Sequence, residues 1–420
     1  MFLIFVTPKL KKISMRLNIF YPGYLAISMF IFILSILPVS VLSSGKGTAA
    51  LSGIVSGSEG APLANMQLIL YPDPSSFPAS AADTAYTSTG GEFHFSLSGD
   101  MSHILEVKGQ EGIGRVFIPA RTTEETATKK LEITYPVTEK IVILHTNDLH
   151  FTLNNTEELA LAIDGIRKKY DDVFLFDAGD IFVRHPMRWI VNGRFMRNPE
   201  WYGERALLMV STMNDLGYDL MTPGNHELAY HEPYTRIALE AASFPLLAAN
   251  VEVTTTGLPS FEDYVMLNTS TNRKVAVLGL TSGGAEGAME LGVPETVNKY
   301  LWLRDSSEVF VALTHLGLRR DRSLAEEFPH FDIIIGGHSH DLLEEALVEN
   351  SVLIAQAGGN PHFVSDGHPA FLGKIIIVLE NGIVAEKSGR VIEIKQSGQT
   401  AGDDDYYFEE AETEPEFLQK

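Results

Sequence analysis

Five short motifs follow one another through the middle of this 420-residue chain, each directly after a run of apolar, β-forming residues. They are HTNDLH, with Asp148 and His150; DAGD, with Asp180; TPGNHEL, with Asn225 and His226; ALTHLG, with His315; and GGHSH, with His338 and His340. The runs ahead of them are KIVIL, VFLF, YDLM, VFVAL and FDIII. In an open α/β sheet the loops at the carboxyl ends of the strands gather on one side, and ligands bind there. The pattern therefore constrains the fold twice. The apolar runs must pair as strands, and the polar motifs must meet where those strands end.

Aspartate, asparagine and histidine brought together in this way suit two divalent metal ions. Such a pair, roughly 3.5–4 Å apart, can hold a bridging hydroxide and clamp a phosphoryl group through an in-line displacement. The arrangement needs a carboxylate shared by both ions, several neutral imidazoles and an oxygen ligand without charge. Asp180 suits the bridge, and Asn225 suits the uncharged oxygen. A histidine-rich set favours zinc, manganese, iron or cobalt over magnesium, which prefers oxygen and keeps its waters. The competing reading is a scatter of turn-forming Asp and Asn with solvent-facing His, and order, spacing and strand context all oppose it.

These motifs resemble those of the calcineurin-like metallophosphoesterases, and within them the secreted 5'-nucleotidase and 2',3'-cyclic phosphodiesterase family. The likeness runs from about Lys140 to Glu380 and includes DGIRK at Asp164–Lys168, the run VAVLGLT ending at Thr281, and AQAGG at Ala355–Gly359. It implies an α/β fold of two packed β-sheets flanked by helices. It also implies that Asp148, His150 and His340 hold one metal with Asp180, while Asn225, His315 and His338 hold the other. His226 would then lie beside the scissile phosphate, as a transition-state stabiliser or proton donor. Two departures stand out. The place three residues after His226, commonly an aspartate that orients the imidazole, is Ala229, with Glu227 and His231 as possible substitutes. The C-terminal domain that grips nucleotides in this family is expected to be absent, which leaves nucleotide specificity open.

The net charge of −22 argues against a nucleic-acid polymer as substrate, since no basic patch offsets phosphate repulsion. With no cysteine there are no disulfides. At the N-terminus, Lys9, Lys11, Lys12 and Arg16 precede an apolar run from about Tyr24 to Leu42, followed by Ser43, Ser44 and Gly45. Positive, apolar, small is the order of a secretory signal, and a run of this length also suits an uncleaved anchor. Either reading of residues 1–45 exports the rest of the chain, to the periplasm or the extracellular space. Membrane contact is expected only through such an anchor.

Residues 48–135 alternate short strands with turn signals such as SGSEG, PDPSS and STGG, the spacing of a small all-β sandwich. The string GIVSGSEGAPLANMQLILY followed by TSTGGEFHFSL resembles carboxypeptidase-regulatory or transthyretin-like modules; its partner is unknown. His94 and His103 read as strand residues. After a short linker around Pro136–Glu139, residues 140–396 keep a strand–helix rhythm and close on consecutive strands. The stretch 397–420 is acidic and reads as a solvated tail.

Within the catalytic region His145 reads as a hydrogen-bonded core residue and Asp177 as a structural cap. The segment Ile181–Arg205 concentrates Arg184, His185, Arg188, Arg194, Arg197 and Arg205 with Trp189 and Trp201. One reading makes it a substrate clamp, with Arg184 and Arg188 on phosphate and Trp189 or Trp201 stacked on the organic group. The other makes it an amphipathic lid helix paired with surface carboxylates. His362 and His368 read as rim residues at most. The whole points to a metal-dependent hydrolase of small phosphate esters. Two alternatives stay open: a hydrolase of the same fold acting on a sugar phosphate, lipid head group or sulfur ester, and a surface-binding protein with a vestigial metal domain.

Overall fold

The parallel strands of the catalytic region are apolar almost without interruption, which only burial on both faces can accommodate. The computed structural model describes residues 49–72, 81, 83–97, 101–109, 112–120, 128–152, 155–183, 188–191, 194–197, 199–229, 233–283, 288–359 and 370–394. Val309–His315 and Ile333–Ile335 are buried at every position, and Lys274–Thr281 at every position but its first. Among the described residues these strands build two sheets. One has five strands, in the order Leu220–Met221, Asp172–Asp177, Thr138–Thr146, Ala370–Glu380 and Ile383–Ile394. Its first three are mutually parallel and the last two antiparallel. The other has six: Tyr264–Asn268, Lys274–Thr281, Val309–His315, Ile333–Ile335, Val352–Ala355 and Leu347–Glu349. Four central strands run parallel between two antiparallel edges.

Three hydrophobic layers hold these sheets. Ile141, Ile143 and Phe176 of the first sheet meet Val277, Val311 and Ile335 of the second, all essentially inaccessible. On the outer face of the first sheet, Val142, Leu144 and Leu175 pack on Ile163 and Ile166 of helix Thr156–Lys169 and on Met209 and Met213 of helix Pro199–Leu216. On the outer face of the second, Leu278, Phe310 and Ile334 pack on Val297 of helix Val293–Tyr300 and Leu324 of helix Leu318–Glu327. Each such side chain contributes about 1.5–3 kcal/mol by leaving water. The result is the helix–sheet–sheet–helix sandwich that the motifs imply.

The N-terminal strands form a second, all-β sandwich. Glu92–Leu97, Ala49–Gly57 and Thr128–Tyr135 make one sheet, and Asp83–Tyr86, Gln67–Pro72, His103–Gly109 and Gly112–Ile118 the other. Alternation in Glu92–Leu97 sends Phe93, Phe95 and Leu97 inward against Leu68, Leu105 and Ile118. His94 is an exposed strand residue, while His103 is buried. The expected linker 136–139 is shorter than its sequence indicates. Only Pro136 and Val137 separate Tyr135 from strand Thr138–Thr146; Val137 is buried, and its N–H donates to Asn381 Oδ1 at 3.0 Å.

The described residues after Asp180 do not form one lid helix. Arg188–Val191 and Arg194–Arg197 pair as an antiparallel hairpin, and helix Pro199–Leu216 follows. Only the backbone of Arg188, Trp189, Arg194 and Arg197 is described. Residues 1–45, the tail 397–420, Arg184, His185, His231, His362 and His368 lie outside the described residues. No helix among the described residues is long and apolar enough to cross a membrane.

Candidate metal centre

The five strand exits converge, and backbone hydrogen bonds lock their loops to one another. The Asp148, His150 and Phe151 amides donate in turn to the carbonyls of Gly179, Asp180 and Ile181, at 2.8, 3.0 and 2.8 Å, zipping the first motif to the second. Asn147 ties in the Ala355–Gly359 loop: its Nδ2 donates to Asp148 Oδ2 at 2.7 Å and to the Gly358 carbonyl, and its Oδ1 accepts from Ala357 N at 2.8 Å. This holding is needed because the loops are strained. Asp148, His150, Asp180, His338 and His340 all have positive φ, between 46° and 78°. Non-glycine residues take that conformation rarely, and such residues cluster where the surroundings over-determine them.

The side chains so placed form three overlapping groups of possible metal ligands: Asp148, His150 and His340; His150, Asp180 and His226; and Asp180, His315 and His338. Within each, the ligand atoms lie within 4.8 Å of one another. Asp180 Oδ2 is 3.2 Å from His315 Nε2 and 3.6 Å from His226 Nε2. Asp148 Oδ1 is 3.2 Å from His340 Nε2 and 3.9 Å from His150 Nε2. Asn225 joins through its Oδ1, 2.6 Å from His338 Nδ1. Each of the seven expected ligand residues thus sits in one pocket. Close approach is possible because Gly224 has no side chain; a Cβ there would lie 2.1 Å from Asp180 Oδ1.

Second contacts orient the rings. His315 Nδ1 donates to the Ala178 carbonyl at 2.6 Å, and His150 Nδ1 to that of Phe182 at 3.1 Å, so both Nε2 atoms turn lone pairs inward. A backbone carbonyl on the far nitrogen is the usual support of a metal-binding imidazole. His150 Nε2 stands 3.2 Å from His340 Nε2, and the buried atoms Asp148 Oδ1 and His315 Nε2 face only other possible ligand atoms, His340 Nε2 and Asp180 Oδ2, without a well-formed hydrogen bond. Burial disfavours charge on His315, yet Asp180 and Asp148 draw its pKa up to about 10. Burial likewise works against the Asp180 carboxylate, but His315 and His226 hold its pKa well below the usual range. Converging lone pairs, orphaned ligand atoms and a field that favours positive charge all fit divalent cations.

His226 is buried, with Nδ1 3.1 Å from the Phe182 carbonyl and its N–H on Asp180 Oδ1 at 2.8 Å. The carboxylate of Glu227 turns to three backbone amides, those of Asp180, Phe182 and Gly224. It does not take the direct place of an aspartate partner to His226, because its oxygens are engaged by the loops. Asp177 caps as expected, accepting from Thr146 Oγ1 at 2.6 Å and Gly179 N at 2.8 Å, and burial pushes its pKa up to about 7. His145 is a buried core residue, and its Nδ1 has no hydrogen-bond partner among the described residues, where one was expected. Trp201 is partly buried, edge-on to Phe151 at 5.9 Å, with the Arg205 guanidinium 5.8 Å from its ring centre. Asn147 and the carbonyls of Ala178 and Phe182 are functional groups that residue types alone do not announce.

A two-sheet α/β sandwich whose strand exits carry a pocket for divalent cations defines a metallohydrolase-type architecture. Residues 141–342 match the family model described as calcineurin-like phosphoesterase, and the chain carries a metallophosphoesterase domain of that family. The chain is 28% identical over 291 residues to the trifunctional nucleotide phosphoesterase protein YfkN of Bacillus subtilis, covering 58% of this chain and 18% of that one. It is 30% identical over 264 residues to the protein UshA of Escherichia coli, covering 53% and 44% respectively. A solved 5'-nucleotidase precursor from Thermus thermophilus aligns at a TM-score of 0.48, with 22% identity over 61% of this chain and 54% of that one. The chain thus spans less than half the length of these two curated relatives.

Proposed function

We propose that the chain is an exported hydrolase of small phosphate esters, nucleotides among them, working with two divalent ions in this pocket. The observation that carries the reading is the position of Asp180, which faces His150 and His226 on one side and His315 and His338 on the other. Asp148, His150 and His340 would hold one ion, Asn225, His315 and His338 the other, and Asp180 would be shared. Bound ions supply a water activated at neutral pH and positive charge for the phosphoryl oxygens.

The remaining work falls to the chain itself. With Nδ1 on the Phe182 carbonyl, His226 turns Nε2 toward the pocket, where it meets the transferring phosphoryl group and, when protonated, hands a proton to the leaving oxygen. Substrate grip is assigned to the segment that leaves Asp180, with Arg184, Arg188 and Trp189 as its recognition residues. Trp201 has a supporting place in this scheme, because its ring packs on Phe151. The net charge of −22 supports small esters over polymers. The signal-like residues 1–45 support export. The relatives named for nucleotide phosphoester chemistry support nucleotides as the first class to try.

The test is a hydrolysis screen of nucleotides, cyclic nucleotides and sugar phosphates with added manganese or zinc, alongside metal analysis. Turnover of at least one class, abolished by chelator, is expected. A metal-loaded protein that cleaves none of them would favour a surface-binding role.

A further inference from the structure

Phe182 is where the supports of two imidazoles meet. Its carbonyl accepts from Nδ1 of His150 and from Nδ1 of His226, both at 3.1 Å. Its N–H, in the preceding peptide group, donates to Glu227 Oε1 at 2.8 Å. Its ring is fully buried between Phe151, 5.5 Å away, and Tyr202, 6.1 Å away. Glu227 is itself fully buried, and its other oxygen, Oε2, takes the amides of Asp180 at 2.9 Å and Gly224 at 2.8 Å. A carboxyl group is costly to bury, and burial pushes the Glu227 pKa up to about 8, yet three backbone N–H groups donate to its oxygens.

We infer that Glu227 is a positioning residue: by pinning the Phe182 backbone it aims both His150 and His226 through one shared carbonyl. His150 is thereby aimed at the ligand pocket and His226 at the reacting phosphate. Any carboxylate contact to His226 is thus made at one remove. The task given to His226 rests on the hydrolase reading above; the coupling between Glu227 and the two rings does not.

Glutamine at this position separates the arms of the network. Its single carbonyl oxygen can keep the Asp180 and Gly224 amides, but its NH₂ then faces the Phe182 N–H, donor to donor. Glu227→Gln should lower kcat on aryl phosphates by roughly 10²-fold, the scale of an ångström of misplacement at a reacting centre, with KM close to parental. Combined with His226→Ala it should cost less than in the parent, the His226 arm being already gone and only the His150 arm left to lose, because groups acting through one another are not additive. Glu227→Asp, charged but too short to span the loops, should behave the same way and serves if the glutamine variant folds poorly. In protein stripped of metal and carrying ¹⁵N-labelled histidine, the Nδ1–H signals of His150 and His226 should be protected from exchange in the parent and lost in Glu227→Gln. Equal fold-losses in the presence and absence of His226, or unchanged imidazole signals, would overturn the proposal. A parent that hydrolyses nothing would sink the hydrolase reading instead, and the imidazole signals would still decide the coupling.

Discussion

Asp180 and His145 show how differently two buried polar residues can behave. Asp180 Oδ1 is held by the His226 amide while Oδ2 faces two imidazoles, so the side chain belongs to both halves of the pocket. Asp180→Ala should therefore remove or greatly weaken both bound ions, not one. Elemental analysis of the folded variant decides this, and two ions held as tightly as in the parent would refute the shared assignment. His145 lies inside a strand, where burial lowers its pKa to about 4. In the unfolded chain it titrates near 6.5, so between those values the unfolded state binds more protons. Its contribution is complete above about pH 6.5 and is lost as pH falls toward 4, amounting to about 2 kcal/mol by pH 5. Urea unfolding at pH 7.5 and pH 5 should show a smaller acid-induced loss in His145→Gln than in the parent. Identical losses would mean that His145 is already protonated in the fold.

At the scale of loops and strands, the site depends on how closely two motifs approach. Gly224 sits against Asp180, and a methyl group there would lie 2.1 Å from Oδ1 and 2.5 Å from the Asp180 amide. Backbone has to move, so Gly224→Ala should cost about 10²-fold or more in kcat. Kinetics with metal content measured in parallel test this; parental kcat would show that the loops yield freely. The strand exits themselves are legible in the sequence because doubly buried parallel strands leave unbroken apolar runs. Asp148, His150, Asp180, Asn225, His315, His338 and His340 are legible because few other tasks need those types at those exits. The carbonyls of Ala178 and Phe182 are not, since every residue carries a carbonyl and no side chain marks the one in use. Glu227 is visible as a neighbour of His226, but a sequence cannot tell that its carboxylate turns to backbone amides. The hairpin Arg188–Arg197 did have a signal, the dipeptide Asn192-Gly193 between two apolar-containing runs. The local excess of arginine and tryptophan points to a substrate clamp or a lid helix and says nothing of strand pairing.

At the scale of the whole chain, the β-sandwich and the catalytic region exchange arginines. Arg115 of the sandwich donates to the Asn272 carbonyl at 3.1 Å, and Arg273 of the catalytic region donates to the Ile113 carbonyl at 2.7 Å. Arg273 also pairs with Glu139 at 2.6 Å, both side chains being less than a tenth exposed. A Cβ on Gly114 would lie 2.4 Å from the Val137 side chain, so the Gly114 backbone packs directly on that side chain. Such a junction should transmit unfolding from one part to the other. Removing one member of a buried ion pair typically costs about 3–5 kcal/mol, because the remaining charge stays desolvated. Tryptophan provides the means to watch, since Trp189, Trp201 and Trp302 are the only three and all lie beyond the sandwich. Their fluorescence reports the catalytic region, while far-ultraviolet circular dichroism reports every strand. In the parent the two denaturation curves should coincide. In Arg115→Ala/Arg273→Ala the midpoints should fall and separate, the sandwich and the catalytic region melting on their own. Curves that already differ in the parent would show the sandwich to be an independent module, joined to the catalytic region by contacts too weak to couple their folding.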